Sequence, residues 1–209
     1  MVLLTLLVLA ALGALLPWSP FFHGKAQPDL VIGVLSTQER AFITYLANEG
    51  VLIQAWGKKV VMDGMFRHLA GYQRPSDAMR SDMQDALGLF AGVDLVLATH
   101  HHADHFDARV VGWHPAANPK ATFVAVKQVT ESLAKGHMGY EQIAPRVLEV
   151  TPDFGQRKDL RVADINLSVI RLRHGNTMNV AFLLTVGCGK TLHLTVGGRK
   201  ILHLGDSER

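Results

Sequence analysis

The feature that most restricts this chain is a run of ligating side chains at the end of a short apolar strand. Asp94-Leu95-Val96-Leu97-Ala98 leads straight into Thr99-His100-His101-His102-Ala103-Asp104-His105-Phe106-Asp107. Four of the chain's 11 histidines fall within six residues here. In extended backbone, successive side chains alternate faces, so His100 and His102 point one way and His101 the other. Asp104 and His105 follow a turn and can face back toward the same pocket. Two imidazoles with a carboxylate and a further imidazole beside them form a set of borderline donors suited to zinc or a similar divalent metal. Open αβ folds place ligand-binding loops at such strand ends.

The rest of the chain has to supply one core around that strand. Its 209 residues, 48% of them hydrophobic, support one core and fall short of two ordinary domains. Residues 1–26 read as a targeting segment. Val2 to Leu16 is an uncharged apolar run ended by Pro17, and Gly24-Lys25-Ala26 offers small residues at a cleavage site before Gln27. The run is short for a membrane span and suits a signal-peptide core, although only the amino terminus supplies positive charge ahead of it. This predicts a periplasmic or secreted protein, with an uncleaved membrane anchor or a buried core helix as the alternatives. Residues 27–209 read as one αβ domain. The single cysteine, Cys188, excludes an intrachain disulfide and a Cys-only zinc site. A formal charge of +3, with no run of five or more Lys/Arg, speaks against a nucleic-acid partner.

Periodicity predicts strands over 41–46, 51–56 and 59–62, the last two a hairpin around Gly57-Lys58 that Asp63-Gly64 closes. Arg67 to Ser76 reads as a loop. Asp77 to Phe90 carries Met79, Met83, Ala86, Leu87 and Phe90 at helical spacing. Beyond the strand 94–98, a helix is expected over 107–113, a strand over 122–126 and a short helix over 129–134. Further strands are expected over 147–150, 165–172, 180–186, 191–196 and 200–204. Strands interleaved with helices predict sheets covered by helices.

His100-x-His102-x-Asp104-His105 resembles the signature of the metallo-β-lactamase superfamily. Ile43 to Gly50, Val51-Leu52-Ile53 and Lys59 to Gly64 are similar to the family's opening strands, with Asp63 at its first acidic position. Ile201-Leu202-His203-Leu204-Gly205-Asp206 resembles its late strand, and the wording is closest to lactonase-like and phosphodiesterase-like members. The resemblance spans about residues 41–206. It implies an α+β fold, a four-layer αβ/βα sandwich, incomplete here at the C-terminus because members continue to a final histidine ligand. It implies that His100, His102 and a later histidine hold one metal, and that Asp104 and His105 with a still later histidine hold a second. Asp206 would bridge the two. His174, 72 residues past His102 at a strand-to-loop edge, is the candidate third ligand. Asp63 is expected to orient a ligand from behind or merely to shape a turn. Asp107 is expected to cap a helix or to hydrogen-bond a ligand. His101 and His203 are neighbours rather than ligands, and His23, His68, His114, His137 and His193 have no supporting context.

These expectations add up to a metal-dependent hydrolase with two Zn2+ in the full-length protein, Fe or Mn being open alternatives. Metal would lower the pKa of bound water to give a hydroxide nucleophile, and Asp104 could handle its proton. The bond cleaved is an ester, lactone, amide or phosphodiester in a small-molecule substrate. The competing expectations are a nucleic-acid or nucleotide phosphodiesterase of the same fold, a non-catalytic metal-binding protein, and redox chemistry at iron. Membrane contact is expected only through the N-terminal segment.

Overall fold

The structure, a computed structural model, describes residues 31–35, 40–66, 70–71, 73–185 and 200–203. The expected leader at 1–26, the strand at 191–196 and Asp206 lie outside the described residues.

Eleven described strands form two sheets. The first runs in simple chain order: β1 (Val31–Leu35), β2 (Arg40–Ala47), β3 (Gly50–Ala55), β4 (Lys58–Met62), β5 (Leu95–Ala98), β6 (Thr122–Ala125) and β7 (Val147–Glu149). Pairing is antiparallel from β1 to β4 and parallel from β4 to β7. The change follows from the connections. Trp56-Gly57 joins β3 to β4 as a tight turn with φ of 50° and 72°, whereas β4 to β5 is bridged by the helix α1 (Asp77–Asp85) and β5 to β6 by α2 (Ala108–Ala117). Parallel neighbours need such crossovers. The second sheet has the order β11 (Lys200–His203), β10 (Asn179–Thr185), β9 (Ile165–Leu172), β8 (Arg157–Val162), antiparallel throughout.

One continuous core joins both sheets and the helices. Leu95, Val96, Leu97 and Ala98 are all buried, so β5 is covered on both faces. Met83, Phe90, Val110, Val111, Val129 and Leu133 pack on it from the helices, and Leu167, Val169, Val180 and Phe182 from the second sheet. Each such side chain contributes about 1.5–3 kcal/mol when fully buried. The arrangement is the expected α+β sandwich.

Several local expectations change. The periodic stretch 77–90 is not one helix. It ends at Asp85, where Ala86 turns left-handed (φ 53°) and its N–H bonds back to the Asp82 carbonyl. Leu87, read as part of the apolar face, is 55% exposed, and within this stretch only Met83 and Phe90 are buried. The helix expected over 107–113 runs on to Ala117 through Pro115. Its inner face is pinned there by His114, whose Nδ1–H donates to the Met83 carbonyl at 2.6 Å. The helix expected over 129–134 is α3 (Lys127–Gly136), longer at both ends. Strand β8, Arg-Lys-Asp-Leu-Arg-Val, gave no apolar signal because most of its residues are exposed. Its partner β9 holds it in register, and Arg157 and Asp159 pair on its surface at 2.7 and 2.8 Å. Among the described residues no helix is long and apolar enough to cross a membrane.

Candidate metal centre

Strand β5 ends at Ala98, and its parallel neighbour β4 ends at Met62, so Thr99 and Asp63 emerge side by side. Asp63 turns left-handed there (φ 46°). A non-glycine residue keeps that conformation only where its surroundings fix it. Here the fixing is extensive. The Asp63 carboxylate is buried and accepts from the Thr99 N–H at 2.7 Å, the Thr99 hydroxyl at 2.6 Å and His105 Nδ1–H at 2.9 Å. The β2–β3 turn presses on the same corner. A Cβ on Gly50 would stand 2.7 Å from the Gly64 Cα, and one on Gly64 would stand 2.4 Å from Leu46 Cδ1. Gly50 is therefore required by close approach of the backbones, whereas Gly64 leaves room for the Leu46 and Val61 side chains.

This network decides the histidine tautomers. A carboxylate only accepts, so the Thr99 hydroxyl must spend its single proton on Asp63. The same oxygen lies 3.0 Å from His100 Nδ1 and must accept there. His100 therefore carries its proton on Nδ1, as does His105, and both Nε2 atoms keep lone pairs.

The lone pairs converge. His100 Nε2 lies 3.1 Å from His102 Nδ1, and His174 Nε2 lies 3.3 Å from the same atom. Together these three side chains bring ligand atoms within 4.8 Å of one another. Tetrahedral zinc with Zn–N bonds of 2.0–2.1 Å would set neighbouring nitrogens roughly 3.3 Å apart. Thr177 Oγ1 sits 3.3 Å from His102 Nε2, the ring nitrogen facing away from the cluster. Burial pushes His100 down to about 3, helped by the adjacent His105 ring and opposed in part by Asp63. Burial, then His101 and His174, lowers His102 as well. These imidazoles are neutral near pH 7, the state a metal requires. The donor set fits a divalent cation.

Asp104 and His105 adjoin the cluster. The His105 and His100 rings lie 4.1 Å apart, and Asp104 Oδ2 is 3.5 Å from His105 Nε2. Asn48, in the left-handed turn between β2 and β3, donates to Asp104 Oδ2 at 3.3 Å and to its backbone carbonyl at 3.4 Å. The structure thus brings together His100, His102, His174, Asp104, His105 and Asp63. Asp107 lies apart as the N-cap of α2, accepting from Arg109 and Val110 N–H at 2.9 and 3.4 Å. His101 packs beside His102 with ring centroids 5.1 Å apart. His114 and His137 are buried between helices, His137 directly against Gly112. Thr99, Asn48 and Thr177 carry supporting contacts that the sequence reading did not single out. Thr99 directly precedes the cluster and Asn48 lies in the turn just before Gly50, but neither position announces its partner.

The donor set at the end of a parallel strand, held from behind by a buried aspartate, matches a known architecture. A family model described as a beta-lactamase superfamily domain matches residues 42–209. The chain belongs to the metallo-β-lactamase superfamily. Among curated proteins it is 25% identical over 176 residues to a metal-dependent hydrolase of Aeropyrum pernix, a match covering 80% of this chain and 62% of that one. The chain thus spans less than two thirds of that relative's length. Among solved structures, a metal-dependent hydrolase of Parabacteroides distasonis aligns with TM-score 0.54 and 14% identity, covering 87% of this chain and 68% of the other. That likeness supports the superfamily fold. A metallo hydrolase of Ignicoccus hospitalis aligns with TM-score 0.47 and 15% identity, over 80% of this chain and 61% of its own.

Proposed function

We propose that this protein is a metal-dependent hydrolase acting on a small-molecule substrate. The observation that carries the reading is the convergence of imidazole nitrogens from His100, His102 and His174, with the His100 tautomer fixed through Thr99 and Asp63. The name of the Aeropyrum pernix relative points the same way. His100, His102 and His174 would hold one ion, zinc being the first choice for an all-imidazole set. Asp104 and His105, with Asp206 as a further donor, would hold a second. A bound divalent ion supplies Lewis acidity and lowers the pKa of water at the site. The chain's own residues do the rest. Asp63 keeps His105 oriented, Thr99 relays that constraint to His100, and Asn48 holds the Asp104 carboxylate. Asp104, buried beside the cluster, would take up the proton of the attacking water. The bond cleaved is an ester, lactone, amide or phosphodiester. The apolar run at residues 2–16 supports export to a periplasm or out of the cell, with anchoring at a membrane as the alternative.

Metal content per chain tests the reading, measured on the full chain and on a His102→Ala, Asp104→Ala double variant. The expected result is one to two equivalents of zinc, iron or manganese in the parent, lost in the variant, with hydrolysis in an ester and phosphodiester screen. Equal trace metal in two well-folded proteins would sink it. Stoichiometric metal without turnover across that screen would favour a non-catalytic metal-binding protein.

A further inference from the structure

Directly beside the cluster lies an open cavity of about 380 Å³. Its wall is the end of β9 and the loop after it, so His174 belongs both to this cavity and to the metal centre. Phe154 also lines it and is 63% exposed, a large apolar surface left in water. Arg171 and Arg173 also line the cavity. They stand at alternate positions along the chain, two residues apart, as β9 runs out toward His174.

Neither arginine has an acidic partner among the described residues. Two other arginines of the same sheet are paired: Arg157 with Asp159 at 2.7 Å and Arg161 with Asp164 at 3.2 Å. Arg171 Nε is buried without a hydrogen-bond partner among the described residues, a costly state for a donor on a charged group. Arg173 lies over the Phe154 ring with its guanidinium carbon 5.6 Å from the centroid, which orders the side chain without neutralising it. Two unneutralised guanidinium groups facing one cavity form a ready oxyanion site, because a guanidinium matches carboxylate and phosphate geometry with paired donors.

We infer that this cavity is the substrate-recognition subsite and that Arg171 and Arg173 hold an oxyanion on the substrate, a carboxylate or a phosphoryl group set back from the bond cleaved beside His174. Its role as a substrate subsite rests on the hydrolase reading; its binding of an oxyanion does not. Phe154 supplies the apolar wall for the body of the same molecule. The arginines are binding residues and take no part in the chemical step.

The test is isothermal titration of the metal-free full chain with glutarate and with inorganic phosphate, at constant ionic strength and pH 8. Without metal and without turnover, the result is independent of the hydrolase reading. Saturable binding is expected for at least one probe. It weakens by about tenfold or more in Arg171→Gln and in Arg173→Gln, as loss of a charged hydrogen bond requires. Tighter glutarate binding assigns a carboxylate, and tighter phosphate binding a phosphoryl group. Thermal melting of each variant checks the fold. Arg173 is solvent-exposed, so its substitution remains informative if Arg171→Gln fails to fold. Binding of neither probe in a chain that still takes up zinc overturns the subsite and leaves the hydrolase reading standing. Binding unchanged in folded variants overturns it too.

Discussion

Asp63→Asn changes one atom and should invert two tautomers. In the native network the carboxylate accepts from the Thr99 N–H, the Thr99 hydroxyl and His105 Nδ1–H at 2.6 to 2.9 Å. An asparagine oxygen that keeps the Thr99 N–H leaves its NH2 group facing the Thr99 hydroxyl and His105 Nδ1. Both neighbours then have to accept. His105 moves its proton to Nε2, and the Thr99 hydroxyl turns to donate to His100 Nδ1, which sends that ring's proton to Nε2 as well. Every group stays hydrogen-bonded, so the metal-free fold should lose no more than about 1–2 kcal/mol, the difference between charged and neutral bonds. The metal centre loses two lone pairs at once. Groups behind metal-bound histidines are typically worth 10–100-fold in affinity, or about 1.4–2.8 kcal/mol. Zinc affinity is read by competition with a chromophoric chelator, stability by thermal unfolding, and the tautomers by long-range histidine 1H–15N correlation spectra. Native His100 and His105 should report as Nδ1–H, and the variant rings as Nε2–H. Unchanged ring spectra, or zinc affinity within about threefold of native, would refute the relay.

Other expectations follow from the same geometry. His100 is held near 3 when folded, below its ordinary value of 6.5. The unfolded chain therefore binds the extra proton first, and stability of the metal-free protein is complete above about pH 6.5 and drains away as pH falls toward 3. At pH 5 the loss from this group is about 2 kcal/mol. Denaturant midpoints at pH 8 and pH 5 measure it, and a midpoint that rises on acidification contradicts it. Gly50→Ala puts a methyl 2.7 Å from the Gly64 Cα and 2.9 Å from the Ala47 carbonyl oxygen. Backbone cannot yield as a side-chain tip does, so a loss of about 1–3 kcal/mol is expected together with weaker zinc binding; a melting temperature equal to native would count against the packing argument.

The sequence was most legible where chemistry and local geometry coincide. His100 and His102 lie two residues apart after a buried strand, and chain spacing alone put their rings together. His174 was reached through the family resemblance and its place at a strand edge, since no local pattern links residues 72 apart. The helix at 77–90 was overread because apolar spacing continues through Leu87, yet the backbone turns left-handed at Ala86 and the Leu87 N–H returns to the Asp82 carbonyl, closing the helix. Strand β8 was missed because polar, exposed residues carry no periodic signal, and its partner rather than its composition makes it a strand. Arg171 and Arg173 drew no attention for a related reason: a basic residue on a strand looks like any solvated one until its neighbours are known.

The Thr99 carbonyl accepts the Val180 N–H at 3.2 Å, one residue before His100 and on the second sheet. That bond ties the strand end that carries the cluster to the second sheet, whose β9 leads to His174. His100 and His102 lie in one short loop off the first sheet, whereas joining them to His174 closes a loop of some seventy residues, at an entropic cost. A cation held by all three rings would therefore act as a latch between the two sheets. It would bind the assembled state and not the open one, so added metal should slow proteolysis of the second sheet more than of the first.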